Sequence, residues 1–425
     1  MLDIIRAAWK VTELRKKIFF TIMMILVFRI GSVLPVPFVD IASLQAADSN
    51  AFFSYLSVLT GGGLEYGAVF AMSVTPYINA SIIMQLLAVA IPYLERLSQL
   101  GEEGRKKIAA ITRYVAVGLG LVQGVVYFLY LKAQGHLITE VKKGAALWFA
   151  GFVIVAAFTA GSALVMWLGE RIDVNGIGNG ISIILFSGII SRGPQAFAYL
   201  WGEFTGGRYV QVIAIVAIFL LVIAFIVWMT RAERRVPVQY AKRVVGRKQY
   251  GGQASHIPFK VNMSGVMPII FASSILMMPT MILSFRDLTV ENTFNKVLAL
   301  FSTQGAFYAI LYFALIIGFA YFYATMQYNP VEIANNIRKN GGSVPGIRPG
   351  KPTSDFFQKI LSRVTLLGAL FLSVIAILPI FIGNVGGINI SLGGTSVLIM
   401  VGVALDTVQS LESQMMMRHY KGFLD

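Results

Sequence analysis

The sequence predicts an all-α, polytopic membrane protein of ten transmembrane helices arranged as two inverted five-helix halves. Of its 425 residues, 56% are hydrophobic and only 13% are charged, and the mean hydropathy is +0.73. A soluble domain cannot bury so much apolar surface, so the solvent must be lipid. An internal repeat predicts two halves, and an uneven distribution of Lys and Arg between successive loops predicts the orientation of the spans.

Ten apolar runs account for the predicted spans. A helix that crosses the bilayer needs ~20 residues, which most of the runs provide. The fifth run is too short unless Ile177–Gly180 enters the membrane with it, and the backbone of that segment should then face protein or water. The runs lie near Ile18–Leu34, Ala68–Ile91, Val115–Leu131, Leu147–Leu168, Ile181–Ile190, Val210–Met229, Val266–Phe285, Phe307–Met326, Leu366–Ile382 and Val397–Leu411.

The distribution of positive charge predicts the orientation of these spans. Lys and Arg are concentrated in the N-terminal segment and in the loops that follow the second, sixth and eighth runs. The segments Pro35–Gly67 and Gly383–Thr395 contain neither residue type. Because cytoplasmic loops carry the excess of Lys and Arg, both termini are expected in the cytoplasm.

The internal repeat predicts two related halves. Ser73–Met84 reappears as Gly265–Leu276 with six of twelve positions identical, and a weaker echo relates Gly180–Leu185 to Gly394–Ile399. Both repeats join segments five spans apart, and because five is odd the halves must be inverted. The predicted N-terminal half is 1–190, the hinge 191–208 and the C-terminal half 209–425. A chance match between two Ile/Ser/Ala-rich helices is the alternative explanation.

Residues capable of catalysis or metal binding are scarce. Cysteine is absent, and the three histidines fall in separate loops or the C-terminal tail. No catalytic residues, metal ligands or cofactor are therefore expected, and the protein is not expected to be an enzyme. Arg29 and Asp406 are ionisable residues within the runs, and both are interpreted as structural. A pathway lined by aliphatic side chains excludes ions by dewetting rather than selecting them by charge.

A short apolar segment, residues 51–66, lies between the first two spans on the predicted outer side. It is too short to cross the membrane and ends in the glycine run Gly61–Gly63, which is typical of a helix C-terminus. Two interpretations remain open. The segment is either an interfacial helix on the outer leaflet or a movable stopper in a pore, with the glycine run as its hinge.

Two cytoplasmic loops are long and basic. Residues 231–260 contain eight Lys or Arg and one acid, Glu233, and residues 335–358 contain the turn-rich sequence Val344–Lys351. Both exceed the length that a tight turn between helices needs. Part of the charge serves topology alone, but such loops also suit phosphate-rich RNA, anionic lipid or an acidic protein groove.

Several motifs, in order along nearly the whole chain, resemble the SecY family of central subunits of the bacterial protein-conducting channel. The matching segments are Phe28–Ser32, Pro35–Pro37, Pro76–Ile78, Gly101–Lys107, Gly176–Ser182, Tyr240–Arg243, Lys260–Asn262, Val344–Gly350 and Gly393–Ser396. Any one of these matches alone would be weak evidence for the family, whereas the occurrence of all of them in the same order is specific to it.

The resemblance implies a central hourglass pore with four functional regions. The aliphatic pore ring would be Val74, Ile78, Ile181, Leu185, Ile270 and Ile399. The plug would include Phe52, Phe53, Tyr55, Leu56, Leu59, Gly61 and Gly62. The polar cluster of a lateral gate would be Gln85, Thr112 and Asn262, although such residues also simply join helices. The docking residues would be Lys242, Arg243, Arg247, Lys248, Arg348 and Lys351.

The resemblance further implies translocation of unfolded secretory polypeptides, with signal peptides and other apolar segments leaving sideways into the lipid bilayer. The energy would come from the ATPase SecA or a translating ribosome, because the chain has no Gly-rich phosphate-binding motif. SecE and SecG would be the small membrane partners, and the location the bacterial inner membrane. The alternative function is a small-solute or lipid transporter built from inverted repeats.

Overall fold

In the computed structural model, each of the ten apolar runs lies in or overlaps a helix. The structure describes residues 9–46, 60–138, 144–240, 243–245, 248–250, 254–284, 301, 305–386 and 394–421. Within these ranges, seven helical stretches are each long and apolar enough to cross a membrane, and one bent pair of helices adds an eighth. The prediction of a predominantly helical, multi-pass membrane protein is confirmed.

The chain separates into two compact units, of which the first comprises Met1–Val212, Met281–Val290 and Val403–Asp425. Its helix α5 packs against α3 and α6, and α6 also packs against α1 and α7. The helices are α1 (Thr12–Gly31), α2 (Ile41–Ala46), α3 (Thr75–Ala90), α4 (Pro92–Gln99), α5 (Glu102–Ala133), α6 (Ala145–Asn175), α7 (Gly180–Ile190) and α8 (Gly193–Thr205).

The second unit comprises Ile213–Thr280 and Glu291–Gly402. In this unit α11 and α12 both pack against α13. Its elements are α9 (Tyr209–Arg231), β1 (Glu233–Tyr240), β2 (Arg243–Val245), β3 (Lys248–Tyr250), β4 (Ala254–Lys260), α10 (Met267–Ser284), α11 (Ala306–Gln327), α12 (Pro330–Lys339), β5 (Gly342–Ser343), α13 (Lys351–Gly386) and the start of α14 (Gly394–Lys421).

Helix α3 is shorter than its apolar run because local backbone geometry ends it on both sides. The chain through 68–74 forms turns, Ser73 has a φ of 47°, and the helix begins only at Thr75 with Pro76 in its first turn. Proline suits that position because its missing N–H needs no partner there. At the other end, Pro92 holds Ile91 in an extended conformation, and α3 and α4 meet at a bend of 104°.

Two backbone amides of the glycine-rich approach to α7 donate to protein side chains, which is consistent with a segment that faces protein where it enters the membrane. The Ile177 amide donates to the Thr21 hydroxyl at 3.2 Å, and the Gly180 amide donates to the Asp173 carboxylate at 2.7 Å. The Asn179 side chain accepts from the Ser182 amide and caps the helix. Helix α8 then occupies most of the predicted hinge, 191–208, so that segment is largely helical.

Both long basic loops contain regular secondary structure among their described residues, which the sequence analysis did not predict. Strands β4, β1 and β5 form an antiparallel sheet in that order, so residues from both loops share one fold. Along β1 the side chains of Val236 and Val238 are buried, whereas their neighbours are not, as the period-2 geometry of a strand requires. We call this sheet, α12 and the first turns of α13 the basic platform. Its buried core is Val236, Val238, Phe259, Met263, Ala334, Ile337, Val344, Phe357, Leu361 and Val364.

Candidate functional site

The six aliphatic residues of the predicted ring all lie at or near the start of a helix. Val74 immediately precedes α3, and the other five lie within the first six residues of their helices. Ile78 and Ile270 are each the fourth residue of α3 and α10, and each follows a proline at the second position. The two copies of the sequence repeat are therefore equivalent in helix register as well as in sequence.

The weaker echo has the same property. Leu185 and Ile399 are each the sixth residue of their helices, α7 and α14. Leu185 is 3% exposed and Ile399 is 2% exposed. Val74 is also buried, whereas Ile78, Ile181 and Ile270 are half-buried. All six residues are aliphatic and lie close to the start of a helix. Their convergence into one ring remains a prediction.

The plug prediction falls partly outside the described residues. Phe52, Phe53, Tyr55, Leu56 and Leu59 lie there, whereas Gly61 and Gly62 are described. Both glycines have left-handed backbone, with φ of 66° and 93°, which residues with a Cβ rarely adopt. They begin a turn-rich segment, Gly61–Glu65, that we call the plug root.

The plug root is held by side chains from several helices of the first unit. The Arg29 guanidinium of α1 donates to the Gly61 carbonyl at 3.5 Å. The Ser191 hydroxyl, which follows α7, donates to the Gly188 carbonyl at 2.7 Å and lies 3.5 Å from the Gly61 carbonyl oxygen. The Tyr127 hydroxyl of α5 donates to the Leu64 carbonyl at 3.1 Å. Arg192 forms an ion pair with Glu65 at 2.5 Å. Gly61, Leu64 and Glu65 are therefore held by side chains of the first unit, and whether Gly61–Gly63 acts as the hinge of a movable stopper remains a prediction.

Hydrogen bonds to α7 and to the plug root hold the Arg29 side chain in position. Its guanidinium donates to the Ser187 hydroxyl at 3.2 Å and to the Ser187 carbonyl, and it also lies 5.5 Å from the Phe28 ring centroid. An alanine at position 61 would place its Cβ 2.6 Å from the Arg29 Nη1 atom, so Arg29 would have to shift, and the φ of 66° at this position also favours glycine. Arg29 thus joins α1, α7 and the plug root, which supports its interpretation as structural.

Sequence reasoning missed the ion pair between Arg192 and Glu65. The two residues are 127 positions apart, and neither belongs to a recognisable motif. The Arg192 side chain is 14% exposed and the Glu65 side chain is 39% exposed, so the arginine is largely buried while the carboxylate reaches solvent. No signal in the sequence pairs these two charges.

Neutralising this ion pair should loosen the plug root. We expect Arg192→Gln to raise the resting ion conductance of the protein in planar bilayers severalfold while the fold persists, because a charged hydrogen bond of about 1–3 kcal/mol is lost. Arg208→Gln is the matched control, since its ion pair with Glu203 lies on an exposed surface where the Arg208 side chain is 62% exposed. Equal conductance in the two variants would show that the plug root does not contribute to closure.

The predicted gate residues make local contacts. Thr112 is buried and donates to the Ile108 carbonyl of its own helix at 2.9 Å, and Gln85 donates to the Ser81 hydroxyl at 3.3 Å. Asn262, in the second unit, is 9% exposed, and its Oδ1 atom has no hydrogen-bond partner among the described residues. The convergence of the three residues into one polar cluster remains a prediction.

Arg348 lies at an exposed tip of the basic platform. Val344 is buried in the platform core, Ile347 packs against that core, and the Thr353 hydroxyl donates to the Arg348 carbonyl at 2.7 Å. Gly346 and Gly350 flank the tip with positive φ. This framework fixes the Arg348 backbone and leaves its guanidinium in solvent.

The other predicted docking residues are placed less completely. Lys351 is exposed at the start of α13. Arg243 and Lys248 lie in the paired strands β2 and β3, and Lys242 and Arg247 lie outside the described residues. The tip with Arg348 and Lys351 is therefore the part of the docking prediction whose surroundings the structure describes.

Comparison with known proteins identifies close similarity over the full chain. A family model described as SecY matches residues 68–408. The protein translocase subunits SecY of Bacillus subtilis (strain 168) and Thermotoga maritima are 43% and 42% identical to it. Each comparison covers 98% of this chain, with 97% of the Bacillus protein and 96% of the Thermotoga protein.

Two solved structures share the fold. A protein-conducting channel has a TM-score of 0.66, and Sec61 in the canine ribosome–channel complex has a TM-score of 0.62. Each is 17% identical to this chain, and each comparison covers 94% of this chain and 92% of the other.

Proposed function

The chain belongs to the SecY family and is a protein-conducting channel subunit of a translocase, and we propose that Val74, Ile78, Ile181, Leu185, Ile270 and Ile399 form its pore ring. The observation that carries this proposal is the equivalent register of Ile78 with Ile270 and of Leu185 with Ile399 at helix starts. A two-fold axis in the membrane plane places equivalent residues at equal distances on opposite sides of the bilayer midplane, so equivalent residues near the midplane come to the same depth. Four helices then each bring an aliphatic residue to one constriction.

An aliphatic ring suits the passage of an unfolded polypeptide. It offers no charge or hydrogen-bond partner that would hold one substrate segment tightly, and it seals against ions by excluding water. The chain catalyses no step. Segments that are apolar enough leave through a lateral gate beside Gln85, Thr112 and Asn262, because transfer into lipid lowers their free energy.

The plug closes the resting channel. We assign the plug to the segment that includes Phe52–Leu59, outside the described residues, and the plug root, Gly61–Glu65, which follows it, contacts α1, α5 and the α7–α8 junction. The contacts of Arg29, Tyr127 and Arg192 support this assignment. Opening requires the segment before Gly61 to leave the pore while its root stays attached.

Partners supply the driving force from the cytoplasmic side. Two of the solved relatives are described with ribosomes, the canine Sec61 channel and the yeast Ssh1 complex. A ribosome or the ATPase SecA docks on the basic platform through Arg348 and Lys351, which are both exposed. SecE and SecG complete the channel in the bacterial inner membrane, where both termini of this chain face the cytoplasm.

Cross-linking of a stalled secretory chain tests the pore assignment. A photoreactive residue at position 78 or 270 should cross-link to the translocating polypeptide in reconstituted vesicles. The control is position 221 on α9, because Leu221 is 69% exposed on a strongly apolar helix and should face lipid. Cross-links of equal yield from position 221, or none from the ring positions, would refute the ring.

A further inference from the structure

Helix α8 and the start of α9 share a row of four aromatic rings. The ring centroids of Phe197 and Trp201 lie 6.2 Å apart, those of Trp201 and Phe204 lie 6.1 Å apart, and those of Phe204 and Tyr209 lie 4.9 Å apart. Phe197, Trp201 and Phe204 are spaced i, i+4 and i+7, so they lie on one side of α8. We call these four residues the aromatic ladder.

The protein itself leaves the ladder uncovered. Phe197 is 67% exposed and Trp201 is 59% exposed, and α8 has no buried residue. A continuous row of exposed rings marks an interaction surface rather than a surface that faces water. Glu203 and Arg208 are the two charged residues among positions 193–209, and they pair with each other at 3.1 Å. The surface is therefore apolar, and its recognition does not depend on charge.

Helix α9 fixes the depth of the ladder in a membrane. The residues between Tyr209 and Trp228 are apolar apart from Gln211. A rise of 1.5 Å per residue separates Tyr209 from Trp228 by about 28 Å, which matches a hydrocarbon core of about 30 Å. Tyr and Trp favour the two membrane–water interfaces, so Tyr209 marks one of these surfaces. Because the Phe204 ring contacts the Tyr209 ring, the ladder lies at the same surface.

We infer that the aromatic ladder docks α8 on the lipid–water interface of the outer leaflet. Its rings lie among the glycerol groups and the first carbons of the acyl chains, and the opposite side of the helix, with Gln195 and Gly202, faces water. The leaflet rests on the proposed orientation, in which the segment between α7 and α9 is on the outer side. The predicted hinge, 191–208, is then held by the membrane rather than free in solution.

The surroundings of the ladder favour lipid over a protein segment as the occupant. Val210 is 81% exposed and Ile213 is 61% exposed, so the uncovered apolar surface continues from Tyr209 along α9. Only 17% of the most apolar 18-residue stretch of α9 is buried, and hydrocarbon covers such a surface in a membrane. The ladder extends this lipid-covered surface to the depth that aromatic rings prefer. Since the ladder is uncharged, its binding should not depend on the charge of the lipid head group.

Single introduced cysteines test which side of α8 the membrane covers, because the chain has no cysteine of its own. Phe197→Cys and Gly202→Cys form a matched pair, since both positions are exposed in the protein alone and a Cβ at position 202 meets no atom within 4 Å. In nanodiscs that hold the full chain, a membrane-impermeant maleimide should label the Gly202→Cys protein at least about tenfold faster than the Phe197→Cys protein, because apolar surroundings disfavour the reactive thiolate. Equal rates would overturn the inference, whether both are fast or both are slow.

Fluorescence quenching by brominated phosphatidylcholine distinguishes lipid from a protein cover. With Trp9, Trp148, Trp167 and Trp228 replaced by Phe, the chain retains Trp201 as its one tryptophan. Bromine near the glycerol end of the acyl chain should quench Trp201 about twofold more strongly than bromine near the chain terminus. Replacing half of the unbrominated lipid with phosphatidylglycerol should leave this result unchanged. Absence of quenching by either brominated lipid would overturn the inference, because water or protein would then surround the ladder.

A tryptophan in the middle of α9 is the control for depth. Leu220 is 60% exposed, and in the chain with all five tryptophans replaced by Phe, Leu220→Trp should show the reverse order of quenching. Nanodiscs expose both faces of the bilayer, so the docking test does not depend on the proposed orientation. Labelling of the Gly202→Cys protein from outside intact cells tests the leaflet separately, and failure to label there would overturn the outer-leaflet assignment. None of these measurements uses translocation, so the outcome is separable from the proposed pore.

Discussion

Arg348→Glu should abolish translocation in reconstituted vesicles while folding and membrane insertion remain intact. The Arg348 side chain is exposed, and its backbone is held by Val344 in the platform core and by the hydrogen bond from Thr353. Reversing its charge therefore changes the surface without disturbing the core. At a docking site for an acidic partner, a like-charge contact costs several kcal/mol, which corresponds to a loss of at least about a hundredfold in affinity.

The control for this change is Arg338→Glu, which has the same effect on net charge. Arg338 is exposed in the last turn of α12, within the same platform but away from the tip of the loop. If the positive charge of this loop served only to orient the chain in the membrane, the two variants would behave alike, because Lys339 and Lys351 remain in each. Normal ATP-driven export by the Arg348→Glu protein would remove this tip from the docking site. Arg348→Lys separates charge from geometry, since lysine lacks the planar fork.

Replacing Ile78 and Ile270 together with serine should open an ion leak. Both residues are the fourth in their helices, and hydroxyl groups at these positions would stabilise water in a constriction that is otherwise dry. Each 1.4 kcal/mol removed from the wetting barrier raises the wet population tenfold, so we expect conductance in planar bilayers to rise roughly tenfold or more. Ile→Val at both positions should leave the seal intact, because sealing needs only bulk and low polarity.

A serine pair on exposed positions of the same two helices is the control. Val89 on α3 is 53% exposed, and Ile275 on α10 is 39% exposed. Serine at these two positions adds the same two hydroxyl groups without touching the proposed ring. Indistinguishable conductance in the ring pair and the exposed pair would reject the aliphatic constriction and the pore assignment with it.

Where sequence reasoning was incomplete, the missing information was conformational. The apolar run Ala68–Ile91 predicts one span, but Ser73 and Pro92 restrict the helix to Thr75–Ala90. Hydropathy measures the preference of side chains for lipid and is insensitive to φ and ψ. The basic stretch 231–260 was interpreted from its charge as a loop, although Val236 and Val238 have the two-residue spacing that is typical of one face of a strand.

The sequence by itself determined the solvent, the apolar spans and the aliphatic character of the ring positions, because each of these follows from local composition or from a repeat such as Ile78 with Ile270. Only the tertiary structure decided which residues the arginine side chains contact. Arg29 contacts Ser187 and Gly61, and Arg192 contacts Glu65, across separations of 32 to 158 residues. It also joined the two basic loops through the pairing of β1 with β5. Such contacts depend on how helices and strands pack, and side-chain identity at either end does not specify a distant partner.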